Sequence, residues 1–165
     1  MAMLAFWAVA QVNLFSSEPV GPISVTIENR VELLAQKAAL NKPVEIKIKI
    51  YWTGASAGQQ EFLGKKYNVG LWLPENFILE ENQGFVFSST VGDAHTYVYE
   101  GVIDEQALKR PELRILPVKI IPVTEGKNLY IGLTSDIAPY GTGVSAGIFL
   151  NFKQGVGEFH DQINE

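Results

Sequence analysis

The sequence is marked first by residue types that it lacks. None of its 165 residues is a cysteine, and only two are histidines. The lack of cysteine excludes disulfide bonds, thiolate catalysis and zinc sites with cysteine ligands. No Asn-x-Ser/Thr acceptor for N-glycosylation occurs either. These absences leave the compartment open, because surface proteins of prokaryotes and viruses also manage without cysteine.

Charge is missing from the first seventeen residues, and Glu18 carries the first ionisable side chain. A secretory signal needs basic residues ahead of its apolar stretch, and none stands here. A transmembrane helix needs about 20 apolar residues, whereas Gln11 and Asn13 interrupt this segment. We therefore expect residues 1–17 to be neither a signal peptide nor a membrane span.

The same segment alternates in a way that favours a strand, since every even-numbered residue from 2 to 14 is apolar. Leaving such a face in water costs about 25 cal/mol per Å² of apolar area, so it must be buried. Three interpretations fit: a strand of the chain's own sandwich, an arm that adds to a neighbouring subunit, or the remnant of a trimmed targeting helix. The arm interpretation predicts a subunit interface at Leu4, Phe6, Trp7, Ala8, Ala10, Val12 and Leu14.

The composition is that of a folded, acidic domain. Apolar residues make up 47% of the chain and charged residues 19%, which is outside the disordered regime. The net charge of −5 argues against a nucleic-acid backbone as partner. Fifteen glycines and eight prolines are spread along the chain, as in folds of many short strands joined by turns.

The apolar pattern predicts about nine short strands. The clearest is 44–50, where valine and isoleucine alternate with glutamate and lysine. We also expect a short helix in 31–40, a helical turn capped by Asp104, and an edge strand over 113–123, because its prolines cannot donate to a ladder. The predicted fold class is all-β: an antiparallel two-sheet sandwich, Ig-like or jelly roll, with one or two short helices. The predicted divisions are an arm (1–17), a sandwich domain (18–154) and a polar C-terminal tail (155–165).

Three short stretches carry a family resemblance. They read KPVEIKI at 42–48, GLWLPENF at 70–77 and VTEGKNLY at 123–130. In this order they resemble the Ig-like β-sandwich domains of prokaryotic cell-surface proteins, over residues 42–133 only. Asn76 stands where the corner of those domains has a glycine. The resemblance implies an extracellular, structural role and brings no catalytic or ligand-binding residues.

Two glycine-rich patterns near the C-terminus point to enzymes but lack the surrounding structure. Residues 143–147 match the G-x-S-x-G elbow, which needs a helix directly after its serine. Residues 141–146 match a loosened dinucleotide pattern, which needs a helix as well. The sequence that follows is strand-like instead, so we interpret both as a turn before the last strand. We predict no catalytic residue and no cofactor.

Metal and sugar binding have little support in the sequence. His95 and His160 are far apart, and no histidine pair has ligand spacing, so no metal site is predicted. Trp52 ends a predicted strand beside a loop, where its ring has room to stay exposed and stack on a sugar. The alternative is that this ring fills the core, as most aromatic side chains do.

The sequence favours a non-enzymatic structural subunit that self-assembles into a cell-surface filament or layer. Its mechanism would be strand exchange, in which the arm pairs with a sheet edge of the next subunit. The alternatives are a viral capsid protein with a jelly-roll sandwich and a carbohydrate- or protein-binding surface module. We expect an extracellular or cell-surface location, alternatively a virion. The expected partners are further copies and other surface or coat proteins, with neither nucleic acid nor a transmembrane segment.

Overall fold

A computed structural model describes residues 23–52, 59–110, 112–137 and 140–163. One short helix, α1 (Arg30–Ala35), and two 3₁₀ turns (Gln59–Phe62 and Ala107–Lys109) accompany the strands. The eleven strands of the described part are β1 (Ile23–Ile27), β2 (Lys37–Ala39), β3 (Val44–Trp52), β4 (Lys66–Pro74), β5 (Phe77–Glu81), β6 (Val86–Val91), β7 (Ala94–Val102), β8 (Glu112–Pro122), β9 (Leu129–Ile137), β10 (Tyr140–Lys153) and β11 (Val156–His160).

The strands form two antiparallel sheets that face each other. The four-stranded sheet has the order β1-β3-β8-β5, and the seven-stranded sheet has the order β2-β11-β10-β9-β4-β7-β6. The predicted antiparallel two-sheet sandwich is therefore confirmed. The chain has more strands than the nine expected, because two short ones, β2 and β11, extend the larger sheet.

Alternation along each strand builds the core between the sheets. In β3, Ile46, Ile48 and Ile50 are buried, while the lysines between them face solvent. In β4, Leu71 and Leu73 are buried on the facing side. The buried apolar side chains of both sheets form one continuous cluster. Burial of each large aliphatic side chain contributes about 1.5–3 kcal/mol, so this layer holds the sheets together.

The helix predicted over 31–40 is shorter than expected. It ends at Ala35, and Gln36 adopts extended dihedrals. The next three residues form β2, which pairs with β11 and buries Ala38. Strand pairing and burial therefore override the helix preference of this alanine-rich stretch.

The predicted polar tail is wrong, because residues 156–160 form β11. This strand pairs with β10 on one side and β2 on the other, and Phe159 is buried. The loop before it consists of Gln154 and Gly155, both with positive φ, as a type I′ hairpin requires. The sandwich therefore extends beyond the predicted boundary at residue 154.

Strand β8 is not an edge strand, since it lies between β3 and β5. Strand β5, however, pairs only with residues 119–122 of β8. Pro117 pairs with Lys47 of β3 and lies beyond the reach of β5. Among the described residues, the proline therefore stands where β8 has a strand neighbour on one side only, a position that an internal strand can give to proline.

Several connections carry the chain from one sheet to the other. Residues 82–85 connect β5 of the smaller sheet to β6 of the larger one. The cap predicted at Asp104 is confirmed: the Ala107 amide donates a hydrogen bond to Asp104 Oδ1 at 2.7 Å. The connection that contains this cap carries the chain from β7 to β8.

Candidate functional site

A partly exposed aromatic surface lies on the outer face of the seven-stranded sheet. In the central strand β4, Leu71 and Leu73 point into the core, so Trp72 points outward and is 36% exposed. Trp72 lies opposite Gly132 of β9, and Gly132 lies opposite Gly147 of β10. Trp72, Gly132 and Gly147 therefore form one row across the neighbouring strands β4, β9 and β10.

The two glycines make room for the ring of Tyr130. A Cβ added at Gly132 would lie 2.6 Å from Tyr130 Cε1, and one added at Gly147 would lie 2.3 Å from Tyr130 Cε2. Both distances are shorter than any real contact, so the ring rests directly on the backbone of β9 and β10. An aromatic ring over a strand glycine compensates for the side chain that the glycine lacks.

Phe149 completes this surface on β10. It lies opposite Tyr130 in the β9–β10 register, with ring centroids 5.0 Å apart and planes inclined by 40°. Such a tilted arrangement is favourable for two aromatic rings. We call the set Trp72, Tyr130 and Phe149 the aromatic strip.

The strip carries no charge at neutral pH. Burial raises the pKa of the Tyr130 hydroxyl, against a smaller opposite effect of the Arg30 guanidinium. Arg30 lies at the margin, where its Nη2 donates to the Gly147 carbonyl at 2.8 Å and its Nη1 pairs with Asp161. The Tyr130 hydroxyl therefore stays protonated, and the nearest cation is engaged by other groups.

The residues predicted as a subunit interface lie outside the described residues. This applies to the whole set from the arm: Leu4, Phe6, Trp7, Ala8, Ala10, Val12 and Leu14. Their role as a subunit interface stays a prediction.

Trp52, the candidate for sugar stacking, is in the core. Its side chain is 3% exposed and packs edge-on against Phe62, with ring centroids 5.3 Å apart. The expectation that its ring stays exposed is wrong, because the 3₁₀ turn that follows the strand folds Phe62 onto it. A stacked sugar needs an open ring face, which the buried Trp52 does not offer.

The G-x-S-x-G pattern lies inside a strand. Strand β10 runs from Tyr140 to Lys153 without a helix, so the strand-to-helix turn of a nucleophile elbow is absent there. Among the described residues, no group of three or more histidine, aspartate or glutamate side chains could hold a metal ion. No helix of the described chain is long and apolar enough to cross a membrane.

Sequence reasoning missed the aromatic strip, although one signal was present. Trp72 stands between Leu71 and Leu73, in a strand whose alternation places it on the solvent side. A large apolar residue at such a position is informative, because outward positions are normally polar. The glycines under Tyr130 gave no signal, since their role depends on cross-strand register.

Comparisons with known proteins give little guidance. No protein-family model and no curated protein sequence matches the chain. Among solved structures, it is similar to a cohesin module of a family 33 glycoside hydrolase from Clostridium perfringens, with 11% identity, 89% of this chain and 99% of that chain covered, and a TM-score of 0.39. It is also similar to CaCohA2 from Clostridium acetobutylicum, with 10% identity, coverage of 75% and 81%, and a TM-score of 0.30. Similarity at this level carries no argument about function.

Proposed function

We propose that the chain is a non-enzymatic structural module that self-associates by packing the outer face of its seven-stranded sheet against a second copy. The observation that carries the proposal is the aromatic strip, which is uncharged, rests on strand backbone and combines the exposed ring of Trp72 with the half-buried rings of Tyr130 and Phe149. The rings of Trp72 and Tyr130 are of the types that dominate binding energy when an interface covers them. Their burial would contribute about 25 cal/mol per Å² of apolar area.

A second copy is the occupant that best fits the charge of this face. A two-fold interface brings each surface against itself, so a charged centre would repel its own copy. The aromatic strip avoids that repulsion, although the whole chain carries a net charge of −5. The ring of Tyr130 is already held in place by Gly132 and Gly147, so little side-chain freedom is lost on docking.

The test is sedimentation velocity of the full chain over a range of concentrations. Trp72→Glu places a charge in the strip, and we expect it to weaken dimerisation by about 30-fold, as the loss of a hot spot does. The matched control is Ile115→Glu, because Ile115 is 39% exposed on the outer face of the other sheet. A wild type that stays monomeric throughout contradicts the proposal, as does an equal effect of the two variants.

Strand addition by the arm is a second candidate mechanism, and a free strand edge favours it. Strand β11 pairs with β10 only at residues 149–153. Among the described residues, 140–148 of β10 therefore have β9 as their single strand neighbour. Strand β1, which directly follows the N-terminal segment, lies nearby, since Ser135 Oγ on β9 donates to the Ile23 carbonyl at 3.0 Å. An unpaired edge is a template for an added strand.

The two mechanisms separate in the same experiment. If the arm pairs with the β10 edge of a neighbour, deletion of residues 1–15 abolishes association and Trp72→Glu leaves it intact. If the aromatic strip is the interface, the results are reversed. A deletion variant that remains folded and associates like the wild type contradicts strand addition.

Assembly into a filament or layer at a cell surface belongs to this proposal. A two-fold contact through the strip closes as a dimer and cannot grow further by itself. Growth needs a second contact between unlike surfaces, and strand addition at β10 would supply one. Nothing in the described part of the chain favours a viral coat over a surface layer.

A further inference from the structure

A cleft opens where the smaller sheet ends, on the opposite side of the larger sheet from the aromatic strip. Strand β5 pairs only with residues 119–122 of β8, so among the described residues the first part of β8 has no strand neighbour on that side. The space there measures about 550 Å³ and lies between the end of β7, the start of β8 and residues 104–110 of the connection between them. This volume is within the range of small-molecule sites.

Two tyrosines line the inner wall of the cleft. A Cβ added at Gly101 would lie 2.2 Å from Tyr67 Cζ, so the Tyr67 ring crosses β7 directly over this glycine. Tyr99 lies beside it, and Arg114 Nη1 donates to the Tyr99 hydroxyl at 2.8 Å. Burial raises the pKa of Tyr67 to about 12, so its hydroxyl is protonated at neutral pH. The wall therefore presents hydrogen-bonding groups rather than a plain apolar surface.

The carboxylates around the cleft all have partners. Glu100 pairs with Lys66 at 2.9 Å, and Glu112 pairs with Lys49 at 3.2 Å. The carboxylate of Asp104 accepts the hydrogen bond that caps the 3₁₀ turn. Each negative charge at the rim is thus engaged by a nearby donor.

The two arginines of the cleft differ from these carboxylates. Arg110 and Arg114 both line it, and neither forms an ion pair with a described residue. A guanidinium presents its donors in a planar fork that matches a carboxylate or phosphate group. Arg114 donates to the neutral Tyr99 hydroxyl, and neither arginine meets a carboxylate among the described residues, so both guanidinium groups keep donors for an anionic ligand.

We propose that this cleft binds a small organic anion, with Arg114 and Arg110 holding its carboxylate or phosphate group. The tyrosine hydroxyls would hydrogen-bond polar groups on the rest of the ligand. The site is independent of the aromatic strip, so either proposal can fail without the other.

Binding is measured by two-dimensional amide NMR titration of the full chain with four probes. Glucuronate and glucose 6-phosphate share a sugar ring with glucose but carry a carboxylate or a phosphate. We expect at least one of them to bind at least about tenfold more tightly than glucose, as a charge-assisted hydrogen bond gives. The better of the two identifies the anionic group. If inorganic phosphate binds as tightly as glucuronate and glucose 6-phosphate, the proposal of an organic ligand is overturned.

Variants place the binding in the cleft. Arg114→Gln is expected to weaken the better probe at least about tenfold, and Arg114→Lys should recover only part of the loss, because lysine has no fork. The matched control is Lys109→Gln, which removes a neighbouring charge of the same connection that does not line the cleft. Folded Arg114→Gln protein that binds like the wild type overturns the proposal. So does the absence of cleft shifts with every anion at about 10 mM.

Discussion

The two outer faces of this sandwich differ, although the same alternation of side chains produces both. On the four-stranded sheet, the outward positions of β3 are Glu45, Lys47 and Lys49, and ion pairs cover the face at 2.7–3.8 Å. On the seven-stranded sheet, the outward positions around Trp72 carry aromatic rings and glycines, and the polar pairs Asn68–Asp136 and Lys66–Glu100 lie further along the strands. The first face is built for contact with water, and the second is suited to contact with another surface.

Desolvation explains why only one of these faces is proposed as an interface. Covering the charged face would remove water from several lysines and glutamates, and the attraction within each pair repays that cost only with excellent geometry. Its exposed apolar residues, such as Ile78 and Ile115, are in addition separated by polar side chains. Covering the aromatic strip removes water from three rings and no charge.

Among the substitutions that test this difference between the faces, Gly147→Ala is expected to have the largest effect on stability. The new methyl group would collide with the Tyr130 ring, for which the distance to a Cβ is 2.3 Å. We expect the free energy of unfolding to fall by about 1–3 kcal/mol, as overpacking does. Chemical denaturation of wild type and variant measures it.

A double-mutant cycle controls for other effects of the substitution. In a Tyr130→Ala background the ring is gone, and alanine should then be neutral or stabilising, because glycine inside a strand costs about 0.5–1 kcal/mol. An equal loss in both backgrounds would show that the ring does not rest on Gly147.

The sandwich itself was predictable because its signal is local. The alternation of β3 is readable within nine residues, and it assigns the buried face without knowledge of any partner strand. The same logic failed for β2 and β11, which are short and pair through the small inward residues Ala38 and Gly157, so that Phe159 is the single large inward residue of β11. Small residues leave too little hydrophobic contrast for a strand to be recognised.

The candidate sites were not predictable for a different reason. Trp72 meets Gly132 only after β4 pairs with the distant strand β9, and Tyr130 covers Gly147 only in the particular register of β9 with β10. The burial of Trp52 likewise depends on how the following 3₁₀ turn places Phe62. Alternation states which face a side chain occupies, whereas tertiary packing decides what lies over it.

The smallest expected effect is on the stability of the two faces at alkaline pH. The pKa of Tyr130 is raised above 10.0 by burial, and that of Lys49 is raised above 10.5, chiefly by its hydrogen bond to Glu112 and then by the charge of Glu28. Each group contributes stability that is fully present below its unfolded pKa and is lost as the pH rises through its folded pKa. Both contributions therefore disappear in the same alkaline range, but from different causes.

Salt should distinguish these causes. Urea unfolding between pH 9 and 12 is compared for wild type, Tyr130→Phe and Lys49→Met at low salt and at about 1 M salt, where the Debye length is about 3 Å. Each variant should lose less stability than the wild type as the pH rises. The difference at Lys49 should shrink in high salt, because ion pairs are screened, and that at Tyr130 should persist, because burial is not. A Tyr130 difference that salt removes would mean that charge, rather than burial, governs the aromatic face as well.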